Sequence, residues 1–486
     1  MSWILAVDQS TAGTKALLVD ETGQIIQKAD LAHKQAYPKP GWAEHDAEEI
    51  WQNVCRLINK VPDAAGIRHS QLAGLALTNQ RETTVVWDRQ SGKPLAPAVV
   101  WQCQRGEAIC RQLKSHADQV REKTGLPLSA YYPAAKAAWL LEHVAGLREK
   151  AENNQLCIGT VDSYLMYRLT GGTVFATDLS NASRTQLFNV STLAWDKEIA
   201  DLFQIPLNCL PDIRPSDSLF GQTVSGLFPA SMKIAGVMGD SHAALFGQGC
   251  VQPGMAKATY GTGSSIMINV GQKKKTPPEG IAASLAWGWQ GQVHYVLEGN
   301  VTSSGDTLKW VCDELQLTKT PREIDDLSET VPDTNGAYLV PAFSGLGAPY
   351  FDSQARAAII GLSRGTNRAH IARAALESIA YQNSAVVDAM DIKLQELRVD
   401  GGPTRSDVLM QIQADLLGCD VQCNAAQELS ALGVAYMGGI TLGLYESLDT
   451  IPAMKKQGRT FSPGLPEETV RDMKAGWQDA VRKVRA

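Results

Sequence analysis

Apolar residues fall in short runs separated by polar turns from the start of the chain. Residues 3–7 are apolar and close on Asp8, residues 16–19 form a second run, and residues 24–26 open a third after Glu21-Thr22-Gly23. This order predicts strand, polar turn, strand, glycine turn, strand. The same layout returns in the second half. Residues 256–260 run into Gly261-Thr262-Gly263-Ser264-Ser265, and residues 266–270 alternate into another strand that stops at Gly271. Two distant copies predict an internal duplication, one copy per domain. Between them lie helical periods. Residues 47–61 place Ile50, Trp51, Val54, Leu57, Ile58 and Val61 on one face, with Asp46 as cap. Residues 371–390 repeat the pattern with Ile371, Ala374, Ala375, Ile379 and Val386. Strands at 72–77 and 396–399 lie between helices, and such alternation predicts an α/β fold with mixed or parallel sheets. Gly247, Gly249 and Pro253 cluster where the second copy begins, which sets the boundary between domains 1–246 and 247–486.

Length agrees: 486 residues exceed one ordinary core and predict two domains of roughly 200–250 residues. With 44% hydrophobic and 20% charged residues, the composition is globular. A net charge of −6 argues against nucleic acid as a partner. No run of 18 apolar residues occurs, so no membrane span is expected, and no secretory leader is read before Asp8. The nine scattered cysteines then read as reduced thiols of a cytoplasmic protein. Cys419 and Cys423 lack a second ligand pair and read as flanks of a strand around Val421.

The chain has no P-loop and no His-Glu-x-x-His, and the adjacent residues Asp240-Ser241-His242 cannot form a hydrolase triad. Three glycine- or hydroxyl-rich turns remain. In Asp8-Gln9-Ser10-Thr11-Ala12-Gly13-Thr14-Lys15, backbone N–H groups and hydroxyls suit phosphate oxygens, Lys15 adds positive charge, and Asp8 suits Mg²⁺. Tyr260-Gly261-Thr262-Gly263-Ser264 is its partner from the second copy, and Asp400-Gly401-Gly402 ends a strand where a base or ribose can approach. After the strand at 72–77, Arg81 and Glu82 offer a donor and an acceptor to adjacent hydroxyls. Asp240 follows the apolar run 234–238 and is placed to take a proton from an attacking hydroxyl.

At these residues the chain resembles the FGGY carbohydrate kinases, and within them the glycerol kinases. The strings that carry the resemblance include residues 37–46, 78–84, 100–103, 181–185, 260–263, 340–350 and 361–365. It implies an α/β fold of two duplicated actin/hexokinase-like (ribonuclease H-like) domains with a cleft between them. Polyol or sugar would bind mainly the first domain and ATP mainly the second. It also implies ATP-dependent phosphorylation of a small polyol, foremost glycerol to glycerol 3-phosphate, with Asp240 as base. Arg81, Glu82, Trp101, Tyr131, Asp240 and Ser241 would meet the substrate. Thr11, Ala12, Lys15, Thr262, Gly305, Gly402 and Ser406 would serve the nucleotide, and Asp8 would serve Mg²⁺. A cytoplasmic homodimer or homotetramer is expected. Ser241 stands where the family usually has Gln, which opens space. A kinase of a longer polyol or ketose is therefore the alternative, and a weakly active nucleotide sensor on the same fold is a third.

Overall fold

The computed structural model describes residues 2–485 except 425, 452–453 and 455–457. The first half builds a six-stranded sheet from β1 (Trp3–Gln9), β2 (Gly13–Val19), β3 (Ile25–Ala32), β4 (Leu72–Asn79), β5 (Leu219–Gln222) and β6 (Lys233–Gly239), in the order β5-β6-β4-β1-β2-β3. The second half builds a seven-stranded sheet from β7 (Met255–Tyr260), β8 (Ser264–Gly271), β9 (Ala282–Trp289), β10 (Gln292–Val301), β11 (Glu396–Gly401), β12 (Asp420–Cys423) and β13 (Thr460–Phe461). Its order is β9-β10-β8-β7-β11-β12-β13.

The expected duplication is visible in the pairing. In each half the first strand sits inside the sheet, antiparallel to the next strand and parallel to a later one: β1 with β2 and β4, and β7 with β8 and β11. The second half departs from a simple repeat, because β10 rather than β9 lies beside β8.

Among the helices are α1 (Ala47–Ala64), α2 (Pro133–His143), α3 (Asp240–Gly247), α4 (Gly305–Asp313), α5 (Arg368–Met390) and α6 (Leu429–Thr441). Helix α1 begins where the sequence predicts: the Asp46 carboxylate accepts from the Glu48 N–H at 2.8 Å, and Ile50, Trp51, Val54, Leu57, Ile58 and Val61 are buried.

Helices α3 and α6 lie between the two sheets. Their core takes Ile4, Ala6, Leu17 and Met238 from the first sheet and Met267, Trp287 and Val296 from the second. Helix α6 belongs to the second half of the chain, yet it packs on β1, β4 and β6 of the first sheet. The 246/247 boundary falls one residue before the end of α3. At the crossing of the two helices, a Cβ on Gly433 would stand 1.9 Å from the Ala243 carbonyl oxygen. Gly433→Ala must push the helices apart, and an overpacked core costs ~1–3 kcal/mol. The expected result is a melting temperature lower by about 1–6 °C; an unchanged melt shows that the crossing tolerates a methyl group.

Among the described residues no helix is long and apolar enough to cross a membrane. All nine cysteines are free thiols.

Candidate active site

Parallel pairing brings the ends of three neighbouring strands together. The register runs Asp8 beside Thr78 and Met238 beside Thr78, with Asn79 level with Gln9 and Gly239. Asp8, the Gln80-Arg81-Glu82 turn and Asp240 therefore meet at the carboxyl edge of the first sheet, where open α/β sheets bind ligands. The sequence places Asp240 at a strand end; in the structure it is also the first residue of α3.

Arg81 forms two hydrogen bonds to Glu298 of β10, at 3.0 and 2.8 Å, and its Nε lies 3.2 Å from Asp240 Oδ1. Arg184 donates from Nε to Glu82 Oε1 at 2.6 Å, and its Nη1 lies 2.8 Å from Glu298 Oε2. Glu82 itself holds a left-handed backbone, φ 60°, a conformation that non-glycine residues keep only where the surroundings enforce it. The Asp240 side chain is 34% exposed, whereas those of Arg81, Glu82, Arg184 and Glu298 are at most 7% exposed. Asp240 is thus the most open carboxylate of this network.

Asp8 is buried, and its Oδ1 has no hydrogen-bond partner. Burial, and Asp240 nearby, push its carboxyl up to about 7 against the pull of Lys15. An orphaned, reluctantly charged carboxylate fits a cation that brings its own water or phosphate ligands. Among the described residues no group of three His, Cys, Asp or Glu side chains is placed to cage a metal.

The remaining predicted contacts divide between two places. The Trp101 ring is 5.5 Å from that of Tyr131, and Trp101 Nε1 donates to Thr11 Oγ1 at 2.9 Å. Thr11 thereby buttresses the aromatic pair of Trp101 and Tyr131, with Ala12 exposed at the tip of the same turn. Lys15 extends to Glu428 at 2.7 Å, just before α6. Ser241 is half-buried, and its N–H donates to Asp240 Oδ1 at 2.6 Å.

On the second sheet three glycine turns converge. Tyr260 pairs with Gly401, Gly305 N–H donates to the Gly261 carbonyl at 2.9 Å, and Ser304 N–H donates to the Thr262 carbonyl at 2.7 Å. Only glycine fits at 401: its φ is 103°, and a Cβ would stand 2.0 Å from the Tyr260 carbonyl oxygen. Next to it, Gly402 has open space where a side chain would be. Ser406 is turned elsewhere. Its hydroxyl donates to Asp325 at 2.6 Å and caps the following helix.

Four buried charges were not among the predicted site residues. Arg184 and Glu298 complete the ion network. Lys136 of α2, which donates to the Tyr131 carbonyl, is pushed down to about 7 by burial. Lys257 of β7 is lowered by burial, with Asp400 as the largest opposing influence. For Lys136, Lys257 and Glu298 the signal was present: a lone charge inside an apolar helix or strand run, which survives burial only with a partner. Arg184 lies in the polar turn Ser183-Arg184-Thr185-Gln186 and carried no such signal.

Models of the FGGY family of carbohydrate kinases match residues 3–247 with the N-terminal domain and residues 256–442 with the C-terminal domain. The chain belongs to the FGGY family of carbohydrate kinases. It is 44% identical to glycerol kinase 2 of Thermotoga maritima and 45% identical to the glycerol kinase of Caldanaerobacter subterraneus. The alignments cover 99% of this chain in both cases, and 99% and 98% of those proteins. The crystal structure of Plasmodium falciparum glycerol kinase with ADP superposes with a TM-score of 0.95 at 33% identity, over 100% of this chain and 99% of that one. The FGGY fold thus accounts for both sheets and for the strand-end edges described above.

Proposed function

We propose that this FGGY kinase transfers the γ-phosphoryl group of ATP to a terminal hydroxyl of glycerol. The observation that carries the reading is the exposed Asp240 carboxylate at the meeting point of Arg81, Asp8 and the first-sheet edge. End-to-end similarity to proteins named glycerol kinase supports glycerol as the acceptor. Asp240 takes the proton of the attacking hydroxyl. Arg81 and Glu82 orient the polyol, while Tyr131 and Trp101 cover its carbon chain. The turns at Thr262, Gly305 and Gly402 receive the nucleotide. Thr11, Ala12, Lys15 and Ser406 are proposed to join them once substrate has drawn the halves together, since Thr11, Lys15 and Ser406 now bond within the protein.

Asp8 would hold Mg²⁺, and when bound with ATP that ion neutralises phosphate oxygens during transfer. The two functional halves are proposed to divide at 246/247, and the enzyme to act as a cytoplasmic dimer or tetramer.

Release of ADP across a panel of polyols and ketoses tests the reading. Glycerol is expected to give the highest kcat/KM, and no ADP release with any of them overturns it. A longer acceptor is the second reading, favoured by the short side chain at Ser241 beside the base. Ser241→Gln fills that space, and a hydroxyl buried without a partner costs ~1–3 kcal/mol. The kcat/KM ratio of glycerol to four- or five-carbon substrates is expected to rise by roughly five-fold or more in the variant. An unchanged ratio means that Ser241 does not face the substrate.

A further inference from the structure

Glu298 belongs to the second sheet, but every charge it touches belongs to the first half. It lies on β10, level with Met267 of β8 and Ala282 of β9. One oxygen receives Arg81 Nη2 at 2.8 Å, and the other receives Arg81 Nη1 at 3.0 Å and faces Arg184 Nη1 at 2.8 Å. Burial opposes its charge, but Arg184 and Arg81 outweigh burial and hold the carboxyl well below the usual carboxylate range. A two-pronged Arg–carboxylate contact fixes the plane of the guanidinium as well as its position. With Nη1 and Nη2 on Glu298, Arg81 has Nε left to address Asp240. With Nη1 on Glu298, Arg184 has Nε left for Glu82.

We propose that Glu298 is a positioning residue of the phosphoryl-transfer site, a carboxylate from the second half that sets both arginines and through them orients Asp240 and Glu82. The inference rests on the kinase reading above. It means that the acceptor site is complete only while the second sheet keeps its seat against the first. Glu298 is bound to Arg81 and Arg184 of the acceptor site and does not belong to the three glycine turns. Its loss should therefore affect the polyol and the chemical step, and spare the nucleotide.

Glu298→Gln keeps the shape, removes the charge and sets an amide N–H₂ against a guanidinium. Steady-state kinetics of the purified full-length variant, with glycerol and Mg-ATP varied in turn, give the readout. The expected result is a kcat lower by about tenfold or more and a glycerol KM higher by about tenfold, as for loss of one charge-assisted contact at a site. The KM for ATP should stay within about twofold of wild type. A merely structural role predicts a lower melting temperature with kcat and glycerol KM unchanged, or with the KM for ATP raised along with them. Either pattern overturns the proposal.

If Glu298→Gln does not fold, Glu298→Asp decides. This variant keeps the charge but withdraws it by one methylene. A kcat reduced threefold or more with the KM for ATP unchanged supports the role, and wild-type kinetics overturn it. Failure here stays distinct from failure of the kinase reading. An active wild-type enzyme with an indifferent Glu298→Gln variant sinks only the role of Glu298, whereas a wild-type protein that releases no ADP sinks the reading itself.

Discussion

Asp240→Asn will fold and melt close to wild type while its turnover falls by ~10²–10⁴, the range expected when a positioned general base is removed. The structure explains why the two effects separate. Asn keeps an oxygen in the place where Asp240 Oδ1 accepts from the Ser241 N–H at 2.6 Å, so this contact in the first turn of α3 is retained. Arg81 loses an anionic neighbour at 3.2 Å but keeps both hydrogen bonds to Glu298. What disappears is the basic lone pair at the one exposed carboxylate of the network. ADP release under saturating glycerol and ATP, beside a thermal melt, is the measurement. Turnover within about threefold of wild type in a well-folded variant would falsify the assignment of Asp240 as base.

Asp8→Asn should make the apoprotein more stable at alkaline pH and the enzyme nearly inactive. The folded protein holds a proton on Asp8 up to about pH 7, whereas an ordinary aspartate releases it near 3.8. Between those values the folded state binds a proton that the unfolded state lacks. Stability is therefore lost as pH rises through that window, and the loss is complete above about 7. Asparagine carries no charge to bury. At pH 8 without divalent cation, the variant is expected to melt about 2–5 °C above wild type. At pH 4 the difference should vanish. Added Mg²⁺ should raise the wild-type melt at pH 8 and leave the variant unmoved, since only the carboxylate gains from a neighbouring cation. Turnover of the variant should drop by ~10²–10³, the scale of losing one preorganised electrostatic contact. A variant that melts below wild type at pH 8 would show that Asp8 carries its charge without penalty there.

Much of the site was readable because its parts are local. A glycine turn after a strand is written in consecutive residues, so Gly261-Thr262-Gly263 and Gly401-Gly402 are recognisable before any folding. The structure brings both to one edge through the pairing of Tyr260 with Gly401. Asp8 and Asp240 were readable for the same reason, each following an apolar run. Partners were not readable. Thr11 and Lys15 sit in a turn that looks made for phosphate, yet their side chains reach Trp101 and Glu428, 90 and 413 residues away along the chain. Arg81 looks free to grip a hydroxyl, yet Glu298, 217 residues on, takes both of its Nη groups.

By itself the sequence determined the elements, the duplication and the residue types at the strand ends. Hydrophobic period, caps and glycine turns act over a few residues and need no distant neighbour. Only the tertiary structure decided which of those charges face one another. It set α6 of the second half against the first sheet, closed the Arg81–Glu298–Arg184–Glu82 network across the two halves, and left Asp240 as its open member. The physical reason is that a buried charge persists only beside an opposite charge. Such pairing depends on distance in space, and separation along the chain carries no record of it.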